Sequence, residues 1–318
     1  MISQPLIILS IIYSLIGFSL FSSNLDAKIS DFYSKENVSA VSAADTPIIE
    51  GPSKILLPVI SPTSKPQILA RNYALFDADS GKFLVGKNEN QPVPIASTTK
   101  IMTAVVALEN YSLDDVVTVP EIATQQIPTL VHLRVGEKIS VGELLRCMLI
   151  QSGNDSAMAI ASHLDGGSNN FQPFVDKMNQ KAKELGMMET EYFDPAGLND
   201  GGHSTASDLA KIARYAMQNS TFRQIVSTKE YTATNVSKTN FHLLENSNRL
   251  ITTYDYPGAI GVKTGFTDLA SHCLVAAATQ NGHTLISIVL GTYANTATAS
   301  ADESRKLLDF GFANTSWK

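Results

Sequence analysis

Cysteine is scarce in this chain: Cys147 and Cys273 are the two among 318 residues. They lack the short spacing of a zinc knuckle or a redox pair, and each sits in an apolar run that suits a buried free thiol. The six histidines are scattered, with no pair at helical ligand spacing. That leaves no metal or cofactor site to read and argues against a zinc hydrolase. Basic charge is thin as well. With 24 Lys and Arg against 30 Asp and Glu, the formal net charge is -6 and no dense basic run exists. A nucleic-acid partner is therefore not expected. No internal repeat is visible. What the chain does have is apolar material, 44% hydrophobic against 17% charged residues, enough for a sizeable core. A single catalytic domain of about 250 residues behind a leader accounts for the length.

Residues 1–27 hold the one long apolar run, Pro5 to Phe21. At about 17 residues it fits the core of an export signal or a short membrane anchor, although no Lys or Arg precedes it. Leu25-Asp26-Ala27 and Ser42-Ala43-Ala44 offer small-residue cleavage points. Cleaved or retained, the segment places the remainder outside the cytoplasm, in the periplasm or facing the cell wall. Residues 28–67 shift to Ser, Ala, Thr and Pro, with Pro47, Pro52, Pro58, Pro62 and Pro66 punctuating a semi-extended tether. The folded domain is expected over 68–318.

Within that domain, Asn72 to Asp77 and Lys82 to Gly86 flank the turn residues Asp79-Ser80-Gly81 and predict a hairpin. A second hairpin joins Cys273 to Thr279 with Thr284 to Leu290 through Asn281-Gly282, a pair that tolerates the positive φ angles of a type I′ turn. Helical spacing of apolar residues predicts helices over Lys100 to Glu109, Val141 to Ile150, Ser156 to Leu164, Ser207 to Met217 and Asp302 to Phe310. Strands at both ends and helices between them predict an α/β (α+β) fold. It would be an antiparallel sheet flanked by helices, with a helical subdomain and the terminal strands as neighbours.

Three short elements carry chemistry. Ser97-Thr98-Thr99-Lys100 puts a hydroxyl and an amine three residues apart at a helix start, on one face. A desolvated lysine can lose its proton and serve as base to such a serine, and free N–H groups at the helix start favour an oxyanion. Taken alone the element is close to chance, and an N-cap serine before a surface lysine would explain it equally well. Ser152-Gly153-Asn154 follows an apolar helix and is, by itself, ordinary helix-to-helix turn chemistry. Lys263-Thr264-Gly265 precedes the second hairpin; on an exposed edge it suits the binding of an extended peptide, and otherwise it is a polar strand end.

Taken together and in this order, the three elements form the signature of penicillin-binding proteins and class A β-lactamases. The sequence resembles the low-molecular-mass, serine-type D-alanyl-D-alanine carboxypeptidases of the β-lactamase/transpeptidase-like superfamily from about Ile68 to Phe312. The likeness includes Pro94 to Thr103, Gln151 to Asp155, Phe193 to Leu198, His203 to Ala206 with Asp208 to Ala210, and Gly261 to Thr267. It implies that Ser97 is the acylated nucleophile, Lys100 its base, and Ser152 a relay to the leaving D-alanine. Asn154 would bind the substrate carbonyl or Lys100, Lys263 would supply positive potential, and Thr264 would hold the terminal carboxylate. The N–H groups of Ser97 and of Phe266, which follows Gly265, would form the oxyanion hole. The implied substrate is the D-Ala-D-Ala end of a peptidoglycan stem peptide, with β-lactams as covalent inhibitors and no cofactor. Any membrane attachment would run through the N-terminal apolar segment.

Departures from the pattern are specific. Many relatives carry a basic residue before the last helix, whereas Thr292 to Ala301 contains none, so carboxylate binding would rest on Thr264 and Lys263. Ser271 stands where glycine is usual. The sequence ends at Lys318, so a C-terminal β domain and amphipathic anchor like those of many relatives are not expected. Two alternatives share the motif set: a β-lactamase and a non-catalytic penicillin-binding-like protein. The first is disfavoured by Gly153 and by the missing Glu before Leu198-Asn199, the second by the presence of Ser97 and Lys100.

Overall fold

The computed structural model describes residues 56–61 and 65–318. The apolar run Pro5 to Phe21 and both candidate cleavage points lie outside those residues, as does most of the tether.

Two hairpins build the central sheet. Strands β1 (Ala70–Asp77) and β2 (Phe83–Lys87) meet at a turn where the Ser80 N–H donates to Asp77 Oδ1 at 2.8 Å. Strands β4 (Ser271–Gln280) and β5 (His283–Thr292) meet at Asn281-Gly282, with φ of 52° and 79°, the two positive angles that a type I′ turn requires. β3 (Ala259–Thr267) adds to β4, giving the all-antiparallel order β3-β4-β5-β1-β2. The pairing of β5 with β1, Ile288 opposite Ala74, makes the two ends of the domain neighbours.

Because side chains alternate across a strand, both sheet faces can be covered. Leu274, Ala276, Leu285 and Val289 face one core with Leu307 and Leu308 of the last helix, α7 (Ala299–Asn314); Val275, Ala277, Ile286 and Ile288 face the other. That second core belongs to the helical region: α1 (Lys100–Asn110), α2 (Val141–Ile150), α3 (Asn154–His163), α4 (Gln172–Glu184), α5 (Ala206–Ala216) and α6 (Ser220–Ser227). Starts are set by side-chain caps: Ser140 accepts from the Glu143 N–H, Thr205 from that of Asp208, and Asn219 from that of Phe222. A 3-10 turn, Ala96–Thr99, feeds α1 and lies against β3, which brings the Ser97 element to the sheet edge.

Several boundaries differ from expectation. Pro58–Ile60, inside the stretch read as tether, is a strand that pairs with Thr315–Trp317, so ordered pairing begins ten residues before Ile68. α3 starts at Asn154 rather than Ser156, and α7 runs from Ala299 to Asn314, beyond both ends of the expected helix. A hairpin, Glu230–Thr234 with Phe241–Glu245, and helices α4 and α6 had no counterpart in the sequence reading. Among the described residues no helix is long and apolar enough to cross a membrane.

Candidate active site

Ser97 sits in the turn before α1, where backbone N–H groups have no intrahelical acceptor. Its neighbour Ala96 has a positive φ of 47°, a left-handed conformation that costs an alanine about 1–2 kcal/mol. One turn on, fully buried Lys100 directs its Nζ to three oxygens: Ser97 Oγ at 2.8 Å, Asn154 Oδ1 at 2.7 Å and the Ala196 carbonyl at 2.7 Å. Burial pushes Lys100 down from the ordinary lysine range to about 7, against the opposing pull of Asp194 and Asp155. A lysine near 7 is neutral in about half of the molecules at neutral pH, so a base stands beside the serine hydroxyl in that share.

Asn154 is fixed from both sides. Its Oδ1 accepts from Lys100, one of its two expected partners, and its Nδ2 donates to the Ile127 carbonyl at 2.8 Å. Ser152, whose φ of 73° is also left-handed, lines the same cavity as Ser97; among the described residues its hydroxyl has no partner and is free to turn. The next residue, Gly153, connects Ser152 to the start of α3.

The edge strand β3 brings the third element. Lys263 is buried, and its Nζ donates to the Thr264 carbonyl at 3.0 Å and to Thr264 Oγ1 at 3.4 Å. Burial, and after it the charge of Lys100, hold Lys263 well below the usual lysine range. Gly265 is required by close approach: a Cβ there would sit 2.9 Å from the Ile95 carbonyl oxygen and 3.1 Å from the Ser97 nitrogen. Phe266 follows, half exposed, with its ring 4.6 Å from that of His272. Ser97, Ser152, Asn154, Thr264, Gly265 and Phe266 all line one open cavity of about 1180 Å³, with the Glu230–Glu245 hairpin as its far wall.

One contributor escaped the sequence reading because it is a backbone atom. The Ala196 carbonyl accepts from Lys100 and, at 3.4 Å, from Ser97. Asp194 holds it there, since its carboxylate accepts from the N–H groups of Ala196, Gly197, Leu198 and Asn199 at 2.6–3.2 Å. Gly197, with φ of 75°, packs so tightly that a Cβ would collide with the Ala96 carbonyl. The signal available was Asp-Pro-Ala-Gly, a tight-turn sequence, but nothing in it named an acceptor for Lys100.

Cys147 and Cys273 are both buried and unpaired. Among the described residues no group of three or more His, Cys, Asp or Glu side chains could hold a metal ion.

A buried lysine, lowered to about 7, against a serine at the start of a helix and opposite an open strand edge is the arrangement of a serine hydrolase for extended peptides. Residues 60–294 match the family described as D-alanyl-D-alanine carboxypeptidase, Peptidase_S11. The chain is 39% identical over 265 residues to a D-alanyl-D-alanine carboxypeptidase from a Streptomyces species, covering 79% of this chain and 89% of that one. It is 37% identical over 251 residues to the carboxypeptidase DacF of Bacillus subtilis, covering 77% of this chain and 62% of that one. Among solved structures, the Streptomyces DD-transpeptidase superposes with a TM-score of 0.73 at 38% identity, covering 79% of this chain and 99% of that one. A Mycobacterium tuberculosis D-alanyl-D-alanine carboxypeptidase gives a TM-score of 0.72 at 33% identity, covering 80% of this chain and 96% of that one. The chain belongs to the D-alanyl-D-alanine carboxypeptidase family of serine peptidases.

Proposed function

We propose that this protein removes the terminal D-alanine from peptidoglycan stem peptides through an acyl-enzyme on Ser97, and that β-lactams acylate the same serine. The observation that carries this reading is the 2.8 Å contact between Ser97 Oγ and Lys100 Nζ, with the amine buried and lowered to about 7. The peptide lies antiparallel along β3. Lys100 takes the Ser97 proton as Oγ attacks the carbonyl between the two D-alanines. Negative charge forming on that oxygen meets the N–H groups of Ser97 and Phe266, which need no reorganisation. Ser152, whose free hydroxyl belongs to the same cavity lining as Ser97, carries a proton to the leaving amine. D-alanine departs, and water then opens the Ser97 ester by the reverse proton path.

Asn154 and the Ala196 carbonyl hold Lys100 in line, Lys263 steadies Thr264 by donating to its carbonyl and hydroxyl, and Thr264 receives the substrate carboxylate. Such a substrate lies outside the cytoplasm, and the apolar segment Pro5 to Phe21 would deliver the domain there as leader or anchor. The test is Ser97→Ala, which abolishes both labelling by a fluorescent penicillin and D-alanine release. Retained labelling in that variant would refute the assignment.

A further inference from the structure

The basic residue that many relatives place before the last helix is absent from Thr292 to Ala301, so a substrate carboxylate needs another partner. The structure narrows the choice. Besides the buried lysines, Arg249 and His272 line the cavity, and both are engaged: Arg249 with Glu245 at 3.7 Å, and His272 on the Phe266 ring and on Asn295 Oδ1 at 3.1 Å. What meets Thr264 is a hydroxyl. Ser247 Oγ lies 2.7 Å from Thr264 Oγ1, and both residues line the cavity that holds Ser97.

Ser247 is held there firmly. Its N–H donates to the Ile150 carbonyl at the end of α2 at 3.0 Å, and a buried asparagine stands on each side. Asn246 Nδ2 donates to the carbonyls of Val226 and Thr228, Asn246 Oδ1 accepts from the Asn248 N–H, and Asn248 Oδ1 accepts from the Leu250 N–H. A half-buried serine whose backbone is held on both sides loses little freedom when it binds.

We propose that Ser247 is a specificity-determining residue: its hydroxyl, chained to that of Thr264, selects substrates that end in a free carboxylate. The proton count gives the reason. When Ser247 donates to Thr264 Oγ1, the Thr264 proton is committed outward to the cavity, where a carboxylate, which can only accept, takes it. The chain also polarises, which strengthens the outer donor. A C-terminal amide brings its own N–H donors and gains far less. This inference rests on the peptidase reading above.

The test compares kcat/KM for an acyl-D-Ala-D-Ala peptide with that for its C-terminal amide, in wild type, Ser247→Ala and Ser247→Thr. Ser247→Ala loses about tenfold on the acid and little on the amide, and Ser247→Thr restores the preference. Equal loss on both peptides, as a purely structural role would give, overturns the proposal, and so does full retention on the acid. A wild-type protein that cleaves neither peptide instead contradicts the peptidase reading, and this inference with it.

Discussion

The state of Lys100 makes a quantitative prediction about acylation. A move from 10.5 to about 7 corresponds to about 5 kcal/mol favouring the neutral amine. The direction follows from physics: full burial penalises the ammonium, and the carboxylates of Asp194 and Asp155 offset that penalty only in part. With Lys100 as the proposed base, the unprotonated form is the active one, so acylation rises with pH through the Lys100 midpoint and then levels. About one-tenth of the protein carries the base at pH 6 and about nine-tenths at pH 8, so the rate rises about tenfold between them. An ordinary lysine would be unprotonated in only about 1 molecule in 3,000 at pH 7, and the rate would go on climbing toward pH 10. Stopped-flow acylation by a chromogenic β-lactam, from pH 5 to 10, reads the midpoint. A flat profile from pH 6 to 9, or a midpoint near 10, would refute the reasoning.

Three further substitutions test the supports of that geometry. Gly265→Ala puts a Cβ against the Ile95 carbonyl and the Ser97 nitrogen, so acylation falls about 100-fold or more while circular dichroism is unchanged; normal acylation would contradict the close approach. Asp194→Asn keeps an oxygen acceptor but removes a charge that raises Lys100, so the acid limb of the pH profile moves to lower pH; an unmoved limb would count against that coupling. Asp194→Ala leaves four backbone N–H groups without their acceptor and lowers stability by about 2–4 kcal/mol in urea unfolding.

Much of the site could be read because its spacing is local. Ser97 and Lys100 share a helix face by periodicity, and Asn281-Gly282 announces its turn by tolerance of positive φ. Apolar spacing put α2 at its observed ends, Val141 and Ile150. What could not be read depends on where distant segments meet. The Ala196 carbonyl has no side-chain identity, and Asp194 matters through four N–H groups that its own turn gathers around it. Ser247 is one serine among many until the fold sets it against Thr264. Pro58–Ile60 pairs with residues at the other end of the chain, and a proline-punctuated context hides so short a strand. α4 was legible in principle, since Phe174, Val175, Met178 and Ala182 recur at helical spacing behind a proline at its start.

The proposed function stands on acylation of Ser97 with release of one D-alanine. Intact-protein mass spectrometry with penicillin, peptide mapping of the adduct, and product analysis with a D-Ala-D-Ala pentapeptide test it together. The account predicts a long-lived penicilloyl group on Ser97 and a peptide shortened by one alanine. An adduct on another residue, rapid hydrolysis of the drug without a lasting adduct, or an untouched pentapeptide would contradict it.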